Sequence, residues 1–111
     1  MKPVEIIVLG FSQGACLALE YAARNPLQYG GIIALSGALI TLEHNGEMKN
    51  TPVFIGCSDD DPHIPLERVL MTTKAFEKMK AHVTKKIYHK EGHRINEDEI
   101  AAIKKIIKET K

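Results

Sequence analysis

The sequence has 111 residues, a length that suits one domain over residues 1–111 with a modest hydrophobic core. Its 15 Lys and Arg nearly balance its 14 Asp and Glu, so the formal charge is only +1. No strong field would recruit nucleic acid or an anionic membrane surface, and we expect no nucleic-acid partner.

The cysteines and the apolar runs of the sequence predict the cellular compartment of the protein. Cys16 and Cys57 are too few for a disulfide framework, and their apolar settings predict small buried hydrophobes in a reducing cytoplasm. The opening apolar run leads into a motif instead of a signal-peptide cleavage site. No apolar stretch reaches the roughly 18 to 20 residues that cross a bilayer. We therefore expect a soluble, cytoplasmic protein without stable membrane insertion.

The first half of the chain alternates between predicted strands and helices. An apolar, β-branched run at 4–9 predicts a strand buried on both faces of a parallel sheet. A helix is predicted over 13–24, a second strand over 31–36, and an irregular crossover with at most a short helix over 38–50. Three small residues of the first helix should allow a close approach to the sheet: Gly14, Ala15 and Ala18.

The second half continues the alternation with a strand over 52–57, an amphipathic helix over 66–81, a strand over 83–89 and a last helix after Asn96. Asn96 and Glu99 resemble a capping box. The predicted buried stripe of the last helix is Ile100, Ile103, Ile106 and Ile107. This order predicts an α/β fold, in which helices cover both faces of a parallel four-stranded sheet with right-handed crossovers.

A G-x-S-x-G motif occupies residues 10–14, directly between the first predicted strand and the first predicted helix. In a nucleophile elbow the serine sits on a strained turn, and the flanking glycines let strand and helix pass without collision. This context favours Ser12 as a nucleophile. The alternative is that Ser12 only caps the helix.

A serine hydroxyl becomes a good nucleophile when a histidine accepts its proton and a carboxylate orients that histidine. Asp61 follows the third strand and His93 the fourth, so both should lie at the same sheet edge as Ser12, in the chain order of this fold. Asp61 is favoured because the rigid Pro62 follows it, and His93 because it lies in a loop after Gly92. The competing residues are Asp59 and Asp60 for the acid, and His44, His63, His82 and His89 for the base.

Two further aspects of the site stay open. The backbone N–H of Gln13, next after the nucleophile, would be one oxyanion donor. The second donor normally comes from a loop after an earlier strand, for which we find no residues in this sequence. A metal site is a weaker alternative, because no ligand spacing resembles H-E-x-x-H; its candidate ligands are Asp59, Asp61, His63, His89 and His93.

Four segments together resemble the phospholipase/carboxylesterase family, which includes the acyl-protein thioesterases: GFSQGACLALEYA, GGIIALSGAL, PVFIGCSDDDPHIP and GHRINEDEI. The resemblance implies a cytoplasmic serine hydrolase acting on esters, lysophospholipids or acyl-protein thioesters, with neither a metal nor an organic cofactor. It also implies Ser12 as nucleophile, Asp61 as orienting acid, His93 as general base and Gln13 as oxyanion donor.

The sequence departs from this family at its start, because family members carry several strands before the elbow. We therefore expect the carboxyl-terminal half of a hydrolase domain, whose first strand becomes a sheet edge and pairs with a second copy in a homo-oligomer. Hydrolysis of a small ester or acyl thioester is the favoured function. The alternative is a non-catalytic module that binds a partner or completes an assembly.

Overall fold

The computed structural model describes residues 2–109. After a short 3-10 helix at Pro3–Glu5, this range contains seven regular elements. In chain order they are β1 (Ile7–Phe11), α1 (Gln13–Arg24), β2 (Gly31–Leu35), β3 (Pro52–Ser58), α2 (Leu66–Lys78), β4 (His82–Tyr88) and α3 (Glu97–Glu109).

The four strands form one sheet in the order β1-β2-β3-β4, and every neighbouring pair is parallel. The predicted fold class is therefore confirmed. Because all strands run in the same direction, their carboxyl ends share one edge of the sheet. The segments that follow β1, β3 and β4 meet at that edge, and each carries one member of the predicted Ser, Asp, His set.

Helices cover both faces of the sheet, as predicted. On one face α1 and α2 contribute Leu19, Val69 and Phe76 to a core that includes Ile32 and Ile55 of the sheet. On the other face α3 packs Ala102, Ile103 and Ile106 against Ile33, Leu35 and Phe54. Every residue of β2 is buried, because this strand has a neighbour on each side and a helix over each face.

Two predicted boundaries differ from the structure by three residues for local reasons, and the others differ by at most two. β1 begins at Ile7 instead of residue 4, because residues 3–5 form the 3-10 helix. α2 ends at Lys78 instead of residue 81, since Lys80 adopts a φ of 66°, a left-handed conformation that ends helices.

The segment from 38 to 50 forms no helix, and side chains satisfy its backbone instead. The buried Glu20 carboxylate accepts hydrogen bonds from the N–H groups of Ile40 and Thr41, at 3.2 and 3.1 Å. Arg68 donates to the carbonyls of Leu39 and Ile40. These two residues of α1 and α2 hold the start of the crossover, just after β2.

Several burial predictions were wrong. β1 is not buried on both faces: Leu9 is 51% exposed, because β1 is an edge strand within residues 2–109. In α3, Ile100 and Ile107 are 43% and 51% exposed, and the buried face is turned toward Glu99, Ala102 and Ile106. Gly14 is exposed and leaves the contact with the sheet to the other two small residues, Ala15 and Ala18.

The helices of the described range are too short or too polar to serve as membrane spans.

Candidate active site

Ser12 occupies the turn between the end of β1 and the start of α1 in a strained conformation. Its φ of 59° and ψ of −120° lie outside the regions that residues with a side chain prefer. Its side chain makes no capping hydrogen bond to α1. A simple helix cap therefore does not describe Ser12, and the strained turn is what a nucleophile elbow requires.

The glycine before the elbow is required by space. A Cβ atom on Gly10 would lie 2.1 Å from the carbonyl oxygen of Gly14, closer than atoms can approach. A Cβ on Gly14 itself would meet nothing within 4 Å, so the expectation that both glycines relieve a collision holds only for Gly10. Gly37, after β2, is a further tight position that the sequence did not reveal, since its Cβ would lie 2.4 Å from that of Ala15.

The structure brings Ser12, Asp61 and His93 together in one chain of hydrogen bonds. His93 Nε2 lies 2.7 Å from Ser12 Oγ, and His93 Nδ1 lies 2.7 Å from Asp61 Oδ2. A neutral imidazole that donates from Nδ1 to the carboxylate presents an unprotonated Nε2 to the serine hydroxyl. The arrangement can therefore move a proton from Ser12 to His93.

Asp61 is held as an ionised acceptor by its surroundings. Its side chain is fully buried, and Oδ1 accepts backbone hydrogen bonds from His63 and Ile64 at 2.8 and 3.1 Å. Burial acts to raise the pKa of this carboxyl, but the hydrogen bonds from His93, His63 and Ile64 outweigh it and lower the pKa below its ordinary value. The carboxylate is thus charged across the neutral pH range and orients His93.

Two rings contact the imidazole of His93. The centroid of the tilted Phe11 ring lies 5.0 Å from that of His93, and the His63 ring approaches edge-on at 4.7 Å. Neither contact was predicted from the sequence, where His63 was only a competing base. Phe11 directly precedes Ser12 in the G-x-S-x-G motif, which places it near the site, whereas nothing local indicates the ring contact of His63.

The two aspartates that competed with Asp61 contact other groups. Asp59 binds the His89 ring at 2.8 Å and the backbone N–H of Lys90 at 3.1 Å. Asp60 accepts from the Ser58 hydroxyl at 2.7 Å and from the Gly92 N–H at 3.0 Å. Both residues therefore join the loop after β3 to the loop that carries His93.

Ser58, to which the sequence assigned no role, links the end of β3 to the loop that carries His93. Its buried hydroxyl accepts the N–H groups of Glu91 and Gly92 at 2.8 and 3.2 Å while it donates to Asp60. Because Gly92 immediately precedes His93, these hydrogen bonds tie the loop that carries His93 to the end of β3.

The remaining competing histidines lie elsewhere. His44 sits beside Glu20, with Nε2 3.4 Å from the carboxylate, and His82 begins β4 at the opposite end of the sheet. The five proposed metal ligands divide into the pairs His89–Asp59 and His93–Asp61, with His63 against His93. Within residues 2–109 no group of three or more such side chains could hold a metal ion.

The hydroxyl of Ser12 opens into a cleft of about 480 Å³. The lining residues are Phe11, Ser12, Gln13, Cys16, His63, Ile64 and His93. Gln13 is the first residue of α1, and the first N–H groups of a helix have no acceptor inside it, so this backbone donor suits an oxyanion beside Ser12. A larger groove of about 520 Å³ between β4 and α3 contains none of the predicted site residues.

The two cysteines differ in setting. Cys57 is buried as expected, and burial, with smaller effects from Glu99, Asp61 and Asp59, raises the pKa of its thiol to about 11. Cys16 was also predicted to be buried, but it is only partly so because it borders the cleft. Cys57 is thus a core residue, whereas Cys16 belongs to the rim of the site.

Comparison with known proteins shows what this chain is similar to. Residues 1–111 match the family described as Phospholipase/Carboxylesterase. Acyl-protein thioesterase 1 of Saccharomyces cerevisiae is 44% identical over 71 residues, which is 60% of this chain and 31% of that protein. Acyl-protein thioesterase 1 of Kluyveromyces lactis is 41% identical over 85 residues, covering 70% of this chain and 37% of that protein.

Comparison with solved structures also finds a similar protein that is named a phospholipase/carboxylesterase. The crystal structure of a phospholipase/carboxylesterase from Dyadobacter fermentans superimposes with a TM-score of 0.91 and 43% identity, covering 96% of this chain and 54% of that chain. The chain therefore spans about a third of the two yeast relatives and about half of the bacterial structure.

Proposed function

The chain belongs to the phospholipase/carboxylesterase family, and from that premise we propose that it is a serine hydrolase cleaving carboxylic esters or thioesters through an acyl-enzyme. The observation that carries this proposal is the unbroken series of contacts from Asp61 through His93 to Ser12, with both distances at 2.7 Å. If residues 59–61 formed only a solvated acidic turn and His93 had no functional link to Ser12, this ordered series of contacts to a strained serine would not be expected.

Acylation begins when Ser12 Oγ attacks the carbonyl carbon of the substrate and its proton passes to His93 Nε2. The imidazolium that forms is stabilised by the charged Asp61. The carbonyl oxygen becomes an oxyanion, to which the Gln13 N–H donates. When the tetrahedral intermediate collapses, the bond to the alcohol or thiol breaks, and the leaving group takes the proton from His93.

Deacylation repeats these steps with water as the nucleophile. His93 removes a proton from the water as it attacks the acyl carbon, and the second intermediate returns the proton to Ser12 as the carboxylic acid leaves. Each side chain thus ends in its starting state.

The class of substrate follows from the relatives. Two of them are named acyl-protein thioesterase 1, and the bacterial structure is named a phospholipase/carboxylesterase. We extend to this chain what these names share, the hydrolysis of an acyl ester or thioester, and we place that activity in the cytoplasm as the sequence predicted. If the N–H of Gln13 is the single donor to the oxyanion, turnover should be about a hundredfold to a thousandfold lower than at a site with two donors.

Labelling with a fluorophosphonate tests the proposal directly, because this probe reacts with a serine only when a neighbouring base activates it. We expect the 111-residue chain to be labelled and to hydrolyse a series of p-nitrophenyl esters, and Ser12→Ala to lose both activities. Thr84→Ala is the matched control, since it removes an exposed hydroxyl of β4 at a distance from the cleft. Labelling that persists in Ser12→Ala, or none in the parent chain, would contradict the proposal.

A second candidate role is assembly through β1, which is favoured by exposed apolar surface. Leu9 of β1 is 51% exposed, and Leu17 and Tyr21, one turn apart on α1, are 65% and 56% exposed. The other edge strand, β4, carries exposed Lys85 and Lys86, which oppose pairing with a further strand. We propose that copies of this chain associate through β1, in addition to catalysis or in place of it.

A further inference from the structure

The turn that precedes His93 is bound by side chains from the end of β3. Three consecutive backbone N–H groups, at positions 90–92, donate to side-chain oxygens of residues 58–60. Two of these N–H groups share one acceptor, the Ser58 hydroxyl, at 2.8 and 3.2 Å. Asp61 comes next in the chain and binds the His93 ring at 2.7 Å. Four adjacent residues of one segment thus contact four adjacent residues of the other.

We propose that Ser58 is a positioning residue for the general base, because its hydroxyl holds the turn from which His93 reaches Ser12. This inference rests on the proposed hydrolase function. Ser58 itself contacts no reacting atom: it is 3% exposed and is not among the described residues that line the cleft. Loss of its hydroxyl should therefore slow the chemical step and leave substrate binding unchanged.

The backbone of this turn is strained and needs partners to hold it. Lys90 adopts a φ of 54° and Gly92 a φ of 67°, so two of the three residues before His93 are left-handed. A glycine tolerates this conformation, but it is unfavourable for Lys90 and persists only where the surroundings determine it. The hydrogen bonds to residues 58–60 provide those surroundings, since they engage every N–H of the turn.

Burial distinguishes Ser58 from its two acidic neighbours. Asp59 and Asp60 are exposed, so water can replace their hydrogen bonds to the turn, whereas Ser58 is buried. The Ser58 hydroxyl also donates to Asp60 Oδ1 at 2.7 Å, and Gly92 donates to the same oxygen at 3.0 Å, which closes a small ring of hydrogen bonds. Removing the hydroxyl opens this ring and leaves the N–H of Glu91 without its buried acceptor.

A displacement of the turn would reach the catalytic contacts directly. One peptide bond joins Gly92 to His93, so the two residues move together. Both ring nitrogens of His93 lie 2.7 Å from their partners, which are Ser12 Oγ and Asp61 Oδ2. Misplacement of a catalytic group by about 1 Å can lower the rate of the chemical step about a hundredfold. The position of this turn therefore affects kcat more than it affects KM.

The test is the hydrolysis of p-nitrophenyl butyrate by the 111-residue chain and its variants. In Ser58→Ala we expect kcat to fall about tenfold to a hundredfold, with KM within about twofold of the parent. Ser58→Thr keeps the hydroxyl and should restore kcat to within about threefold of the parent.

Ser36→Ala is the matched control. Ser36 is also a buried serine, it directly follows β2 at the same sheet edge, and its hydroxyl has no hydrogen-bond partner among residues 2–109. This variant removes a buried hydroxyl without removing a hydrogen bond, so its kcat and KM should match those of the parent.

A Ser58→Ala variant with the kcat of the parent would overturn the inference, as would a folded Ser58→Thr variant that is no more active than Ser58→Ala. If Ser58→Ala fails to fold by circular dichroism, Asp60→Ala takes its place. It removes the exposed member of the same ring of hydrogen bonds, and its kcat should fall about threefold. An unchanged kcat in that variant would then overturn the inference.

Ring-proton NMR of His93 in a Ser12→Ala background measures the placement of the base without turnover. Adding Ser58→Ala should shift the His93 resonances, whereas adding Ser36→Ala should not. A parent chain that neither reacts with a fluorophosphonate nor hydrolyses the ester would count against the hydrolase. His93 resonances that Ser58→Ala leaves unmoved would count against this inference alone, whether or not the parent is active.

Discussion

At the scale of single residues, three consecutive aspartates with the same chemistry have three different partners. Asp59 binds His89, Asp60 binds Ser58 and the Gly92 backbone, and Asp61 binds His93. Each carboxyl has a pKa below its ordinary value, so ionisation does not distinguish them. Burial does, because the Asp61 side chain is fully enclosed and touches the imidazole that faces Ser12, whereas Asp59 and Asp60 are exposed.

The residue-scale prediction is that Asp61→Asn lowers turnover of a p-nitrophenyl ester by about three to four orders of magnitude while leaving the fold intact. An amide cannot stabilise the imidazolium, and it favours the wrong tautomer of His93. Asp59→Asn is the matched comparison and should have a far smaller effect, since it loosens only the contact to His89. Equal losses in the two variants would show that the acid is wrongly assigned.

At the scale of elements, the capping box of α3 places the Glu99 carboxyl in a buried environment that is unfavourable for its negative charge. Glu99 accepts from the Asn96 N–H at 3.0 Å, and Asn96 Oδ1 accepts from the Glu99 N–H at 2.8 Å, as the sequence predicted. The same side chain is 1% exposed, its Oε2 is packed over Gly56, and that oxygen has no hydrogen-bond partner among the described residues. Burial raises the pKa of Glu99, and the charges of Asp98 and Glu91 add to the effect.

Because its pKa is raised in the folded state, Glu99 stabilises the fold more at low pH than at high pH. The folded chain binds the Glu99 proton more tightly than the unfolded chain, so this contribution is complete below the unfolded pKa of about 4.5 and is lost as pH rises through the raised value. Glu99→Gln keeps an acceptor for the helix cap and carries no charge. The free energy of unfolding of this variant should therefore exceed that of the parent by about 1 to 3 kcal/mol at pH 8, and by less at pH 4.5.

Thermal unfolding of the two proteins between pH 4.5 and pH 8 measures this difference. Glu97→Gln removes an exposed carboxylate from the same first turn of α3 and serves as the control, with little expected dependence on pH. A Glu99→Gln stability difference that is constant across the pH range would contradict a buried, titrating carboxyl.

At the scale of the whole molecule, the two edges of the sheet differ in character. β1 reads IVLGF without a charged residue, whereas β4 reads HVTKKIY with adjacent lysines. Leu9 aligns with Ile33 on the face that α3 covers, yet it is half exposed, and Leu17 and Tyr21 expose apolar surface on the opposite face. Whether β1 stays an unpaired edge in solution or pairs with a second copy therefore bears on the single-domain prediction for residues 1–111 and on the proposed self-association.

We predict that the 111-residue chain sediments as an oligomer at micromolar concentration and that Leu9→Lys shifts it toward the monomer. A charge at this position opposes strand pairing, as lysines do on natural edge strands. Ile87→Lys places the same charge on an exposed apolar residue of β4, which is 40% exposed, and should leave the distribution unchanged. A monodisperse parent monomer would exclude association through β1.

Local patterns in the sequence determined the elements, their order and the position of the elbow. The apolar runs, the Asn96–Glu99 cap and the G-x-S-x-G spacing each involve neighbours in the chain, so the parallel α/β fold could be predicted from them. Only the tertiary structure decided which aspartate and histidine reach Ser12, because His93 and Ser12 are 81 positions apart. The contact of His63, the role of Ser58 and the exposure of Leu9 and Ile107 likewise depend on how distant segments pack, which no local periodicity encodes.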